Sequence, residues 1–128
     1  MKHALWLLTV MMVLAAPAAQ AATCMRASEE AAIAEGRLSV GQFEDAAERP
    51  EQAYILTLPA PTCLAGSDEM DNVDDVGTIH IFSSDDALHA SLEKFVGKDV
   101  QVRGTPMGAH TAHHHAPIIM NVSEIDAL

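Results

Sequence analysis

The sequence predicts a mainly β domain, a small five-stranded barrel with one helix between its third and fourth strands. Three observations predict this fold class. Short runs of alternating apolar residues recur along the chain, as in strands that bury one face. Residues typical of turns separate these runs, and only one stretch has the apolar spacing of a helix. The length that remains after a removable leader suits one small domain.

The N-terminus has the layout of a secretory signal peptide over residues 1–22. A basic residue precedes an apolar run at residues 4–14, and small residues then allow cleavage after Ala21 or Ala22. A transmembrane helix is the alternative, but this run is shorter than the roughly 20 residues that a span needs. We therefore expect a periplasmic or secreted protein with no stable membrane insertion after cleavage.

The mature chain, residues 23–128, is strongly acidic. All 18 acidic residues lie in it, whereas one of the 7 basic residues is Lys2 of the leader, so its formal charge is about −12. Such a surface excludes nucleic acid as a partner, because phosphate binding depends on Lys and Arg. Cys24 and Cys63 are the two cysteines. In an exported chain they favour a disulfide bond over the alternative of a redox or metal-binding thiol pair.

The first two strands are predicted from alternation and from their ends. Residues 32–40 alternate after Gly36, which indicates a first strand with a bulge or bend at that glycine. Residues 42–52 are polar and contain a proline, which predicts a loop. Residues 53–58 form a β-rich run that predicts a second strand, ended by the prolines that follow it.

An exposed acidic loop at residues 65–75 precedes the third strand, residues 76–82. The acidic run lacks the ligand spacing of an EF-hand calcium loop, so a solvated loop is the preferred interpretation. A helix at residues 85–96 follows and ends at Gly97. Its apolar face carries a stripe with helical spacing: Leu88, Leu92, Phe95 and Val96.

The last two strands are predicted at residues 99–105 and 117–125. Val100 and Val102 share one face of the fourth strand, and a fifth-strand face carries Ile118, Met120 and Val122. The order of three strands, a helix and two strands looks like an OB-fold, a five-stranded Greek-key barrel. Closure of the barrel would remove exposed strand edges in so small a domain.

Three motifs support this interpretation. The chain has Gly-Lys-x-Val-x-Val-x-Gly at residues 97–104, Tyr-x-Leu-x-Leu-x-x-Pro-x-Cys at residues 54–63, and Ala-His-Thr-x-His-His-His-x-Pro at residues 109–117. With these motifs it resembles an uncharacterised family of small exported bacterial domains, a domain of unknown function. The resemblance implies an OB-like strand order and no particular activity.

The histidines between the fourth and fifth strands are the candidate site. In extended chain His113 and His115 point to the same side and His114 to the other, so His113 and His115 could chelate one zinc or copper ion. His110 is close enough to supply a third ligand, and His114 and His80 are further candidates. Two alternatives remain open: imidazole-to-backbone hydrogen bonds that only hold the loop together, and a pH-responsive or catalytic histidine.

Two classes of function are compatible with these features. The first is an exported binding module that holds a divalent metal ion in its His-rich loop. The second is an interaction or inhibitor protein, similar to an immunity protein, that binds an unknown exported partner through its barrel surface while the loop is purely structural. We expect no enzymatic activity, because no nucleophile elbow, zinc-protease motif or phosphate loop occurs in the sequence.

Overall fold

The computed structural model describes residues 23–128. The predicted signal peptide lies outside these residues. Six strands follow one another along the described chain: β1 (Met25–Arg26), β2 (Ala32–Glu44), β3 (Pro50–Ala65), β4 (Val73–Phe82), β5 (Asp99–Gly108) and β6 (Ile118–Ala127). The helix α1 (Asp86–Ser91) continues into a 3-10 turn (Leu92–Phe95), and another 3-10 turn (Glu69–Asp71) precedes β4.

Strands β2 to β6 close into a barrel. β2 pairs with β3 on one side and with β5 on the other, β3 pairs with β4, and β5 pairs with β6, all antiparallel. β4 and β6 run parallel and complete the ring. The predicted mainly β, five-stranded barrel with one helix between its third and fourth strands is therefore confirmed.

The barrel interior is apolar, as the alternation in the sequence predicts. Val100, Val102 and Met120 are fully buried in it, together with Ile118 and Val122. From the helical segment Leu92 enters the same core, whereas Val96 remains 38% exposed. The prediction that Val96 belongs to the buried stripe is wrong, because the chain is already extended there before it turns at Gly97.

The hairpin of β2 and β3 is longer than predicted. The expected loop over residues 42–52 shrinks to residues 45–49. Asp45 closes this turn, since its carboxylate accepts hydrogen bonds from the backbone of Ala47 and Arg49 and from the Arg49 guanidinium. The strand pairing on either side brings Phe43 opposite Glu51.

The second strand also continues through the prolines that were expected to end it. β3 reaches Ala65, but its ladder with β4 breaks between Thr57 and Thr62. This break lies at Pro59 and Pro61, which have no backbone N–H to donate. A strand direction can therefore persist where the hydrogen-bonded ladder cannot.

The predicted Cys24–Cys63 disulfide is confirmed, with an S–S distance of 2.01 Å. Beside it the two-residue strand β1, which the sequence did not predict, pairs in parallel with the end of β3. The bond thus ties the start of the described chain to the barrel. Within residues 23–128 no helix has the length and apolarity needed to cross a membrane.

Candidate functional site

The His-rich loop, residues 109–117 between β5 and β6, lies against the outside of the barrel. Ile55, His80 and Ile119 are register partners on the neighbouring strands β3, β4 and β6. His80 alternates with the core residues Ile79 and Ile81, so it faces outward. Ile119 is nevertheless fully buried and Ile55 is 9% exposed. Ile55 and Ile119 therefore form an apolar strip on the outer face of the barrel that is shielded from solvent.

One carboxylate connects two histidines of the loop. The Glu51 carboxylate lies 2.6 Å from His113 Nδ1 through one oxygen and 2.8 Å from His115 Nε2 through the other. Glu51 stands at the start of β3, and the two imidazoles come from residues more than 60 positions later in the chain. The His113 side chain is 62% exposed, whereas that of His115 is 9% exposed.

The His115 ring stacks with two other rings. Phe43 stacks on it with ring centroids 4.3 Å apart and planes within 6° of parallel. The ring of His80 lies on it with a centroid distance of 5.8 Å and an angle of 24°. In addition, the backbone N–H of His115 donates to His80 Nδ1. These contacts hold the His115 imidazole in its orientation, whereas the exposed His113 side chain has only its contact with Glu51 and no ring stacked on it among the described residues.

The remaining loop histidines bond to the backbone. The His110 N–H donates to His114 Nδ1 at 3.0 Å, and His110 Nδ1 donates to the Gly108 carbonyl at 3.0 Å. The His110 and His114 rings meet edge to face, with centroids 4.7 Å apart. Because His114 Nδ1 and His80 Nδ1 both act as acceptors, each of these neutral rings carries its proton on Nε2.

The electrostatics of the cluster follow from these contacts. Burial, together with the neighbouring His115 and His114, lowers the pKa of His80 to about 4. Burial also lowers the pKa of His114. Hydrogen bonds from His115 and His113 hold the pKa of the Glu51 carboxyl below its ordinary value. Near neutral pH, Glu51 is thus an anion and His80 and His114 are uncharged.

The structure brings together part of the predicted ligand set. His113 and His115 do come together, at Glu51, but residues 111–114 form a turn and not the extended chain from which their common side was predicted. His110 instead pairs with His114, and His80 supports His115 from β4. Within residues 23–128 no group of three or more His, Cys, Asp or Glu side chains is already arranged to hold a metal ion.

Sequence reasoning missed Glu51 and Phe43. Both fall in the stretch that was interpreted as a loop, so neither was assigned a face. Continued alternation from Ile55 back through Ala53 to Glu51 could have identified the carboxylate, because these three residues share one side of a strand. Nothing local could have shown that this side meets the His-rich loop.

Comparison with known proteins supports an uncharacterised family. Residues 78–126 match the model of a family described as "Domain of unknown function (DUF4431)". The matched segment contains His80 and the whole His-rich loop but neither Phe43 nor Glu51, and it is less than half of the chain. No curated protein and no solved structure gives a significant match.

Proposed function

We propose that this chain is an exported module that binds a divalent ion of the zinc or copper type through His113, His115 and Glu51. The observation that carries the proposal is the pair of imidazoles on one carboxylate, at 2.6 and 2.8 Å. Two histidines and a carboxylate are a donor set that zinc sites use, with a water molecule as the fourth ligand. The donor set replaces His110 of the expected set by Glu51.

Binding would exchange hydrogen bonds for metal–ligand bonds. The ring nitrogens that face Glu51 carry protons in the hydrogen-bonded arrangement, so an ion must displace or relocate these protons. His113 is the ligand that can move, because its side chain is 62% exposed. His115 is the fixed ligand, since its side chain is 9% exposed and its ring stacks with those of Phe43 and His80. One rigid and one mobile imidazole suit an ion that enters from solvent.

The position of the cluster in the barrel also supports a binding role. In OB-fold proteins the loops after the first and the fourth barrel strands often bind the ligand, an oligonucleotide or an oligosaccharide. The corresponding loops here are residues 45–49 and residues 109–117. Glu51 and Phe43 flank the first of these loops, and His113 and His115 belong to the second.

Calorimetric titration with zinc and with copper tests the proposal, on protein purified without an affinity histidine tag. We expect about one ion per chain, and no saturable binding after the double change His113→Ala and His115→Ala. Because imidazole binds an ion only when it is neutral, affinity should fall below about pH 6. Absence of saturable binding near neutral pH would contradict the proposal, as would binding that survives the double change.

Two single variants decide the third ligand. Glu51→Gln should weaken binding at least about tenfold, because the amide lacks the charge of the carboxylate. His110→Ala is the matched control and should leave the affinity unchanged, because the His110 ring bonds to Gly108 and packs on His114. If His110→Ala weakens binding and Glu51→Gln does not, the ligand set is the one expected from sequence, with His110 in place of Glu51.

A further inference from the structure

β2 changes its partner at Gly36, and this leaves one strand edge open. Residues 37–44 pair with β3, whereas residues 32–37 pair with β5. A Cβ atom at Gly36 would collide with the Thr57 carbonyl, so only glycine allows this close crossing. Beyond it, no ladder pairing joins residues 32–36 to β3 in the described part of the chain. The facing stretch of β3 contains Pro59 and Pro61, which cannot donate hydrogen bonds.

The two strands diverge there around an apolar groove. A cavity of about 660 Å³ is lined by Gly36, Thr57, Leu58, Pro59 and Leu128 and by three charged residues. Cavities of about 300 and 470 Å³ share lining residues with it at either side. We call these three cavities the β2 groove.

Exposed apolar side chains concentrate in the β2 groove. Among residues 23–128, five large hydrophobic side chains are exposed, and four of them line the groove: Ile33, Val40, Val96 and Leu128. The fifth, Met70, lies elsewhere and is 54% exposed. Scattered exposed apolar residues are ordinary, but a contiguous patch with a polar rim marks an interaction surface.

The rim of the groove is net acidic. Glu35 and Asp99 are carboxylates at its edge, and among residues 23–128 the one cation that lines it, Arg37, is already paired with Asp99 at 3.5 Å. The formal charge of the whole sequence is −11. A second copy of this chain would therefore meet repulsion at the groove, whereas a cationic partner would be attracted.

We propose that the β2 groove binds an extended peptide segment of another protein that combines apolar residues with Lys or Arg. The segment adds as a strand to the open edge of residues 32–36, so backbone hydrogen bonds supply affinity. Alternate side chains enter the groove beside Ile33 and Leu58, and the basic side chains face Glu35 and Asp99. This site is separate from the His-rich loop and does not depend on metal binding.

Titration of the ¹⁵N-labelled protein with defined peptides tests the proposal by NMR. The probe is acetyl-Lys-Val-Lys-Ile-Lys-Val-amide, and we expect saturable amide shift changes centred on residues 32–36. Two matched peptides serve as controls: one with Glu at every Lys position, and one with the Lys–Val sequence but alternate N-methylated amides that cannot pair with a strand. Both should bind at least about tenfold more weakly, by loss of charge attraction and of backbone bonds respectively.

Two protein variants locate the site. Ile33→Lys should weaken binding of the probe peptide at least about fivefold, because the change removes apolar contact and adds a charge of the same sign as the peptide. Met70→Lys adds the same charge at the exposed apolar residue outside the groove, and should have at most a small effect. No saturable shifts at millimolar peptide would overturn the proposal. Equal binding of the acidic or N-methylated peptide would overturn it too, as would concentration-dependent self-association through residues 32–36.

Discussion

Acid should destabilise this protein through His80. The ring is half-buried on the outer face of the barrel, where its Nδ1 accepts the backbone N–H of His115. Burial lowers its pKa to about 4, whereas histidine in an unfolded chain titrates near 6.5. Between these two values the unfolded state binds the proton and the folded state does not. The free energy of unfolding must therefore fall as pH decreases from about 6.5 to about 4.

The size of the effect can be bounded. A shift from about 6.5 to about 4 corresponds to about 3 kcal/mol once both states are fully protonated, and to about 2 kcal/mol at pH 5. The ring keeps substantial contact with water, which screens the interaction, so we expect about 1 kcal/mol at pH 5. The neighbours oppose one another, because His115 and His114 lower the pKa of His80 and Glu51 raises it.

The assay is urea unfolding at pH 7.5 and pH 5, followed by circular dichroism, for the native protein and for His80→Asn. The asparagine Oδ1 can accept the same backbone hydrogen bond, but the side chain does not titrate. All other titratable residues are the same in both proteins, so the difference between them reports His80 and its coupling to its neighbours. From pH 7.5 to pH 5, the free energy of unfolding should fall by about 1 kcal/mol more in the native protein than in His80→Asn. The same pH dependence in both proteins would refute the reasoning.

Two further predictions concern the scaffold. Leu92→Ala should lower the free energy of unfolding by about 2–5 kcal/mol, because Leu92 is fully buried in the barrel core. Val96→Ala, at a 38% exposed position nearby, should lower it by less than about 1 kcal/mol. Equal losses for the two variants in urea unfolding would contradict the observed packing. Replacement of both Cys24 and Cys63 by Ser should cost about 4 kcal/mol, because the bond closes a loop of 39 residues. A midpoint of thermal unfolding unchanged by that double change would count against this role.

Local patterns were sufficient to predict most of the barrel. Val100 and Val102, or Ile118 and Met120, alternate because one face of each strand is buried, and this period of two is visible without any knowledge of the fold. The prolines were misleading for a physical reason. Pro59 and Pro61 do prevent ladder hydrogen bonds, but the chain can stay extended through a break of the ladder.

The candidate site was only half predictable. The His-x-His spacing identified His113 and His115 as a pair, but residues 111–114 form a turn, so the alternation of an extended chain is not what brings them together. That they meet Glu51 depends on the register of the barrel and on the path of the loop, which bring together residues separated by 62 and 64 positions. The loop path is fixed by contacts of His114 and His115 with His80 on β4, the strand that neighbours the buried Ile119. The contact of His113 and His115 with Glu51 could not be predicted from the sequence.

The structural and the metal-binding interpretations of the loop apply to different histidines. His80, His110 and His114 bond to backbone groups, and this use holds the loop in place with or without an ion. His113 and His115 bond to a side chain, the Glu51 carboxylate. Because Glu51 and His113 lie at the accessible margin of the cluster, exchange of their hydrogen bond for a metal ion would leave those backbone bonds intact. The loop can therefore contribute to the fold and still have a place for a ligand.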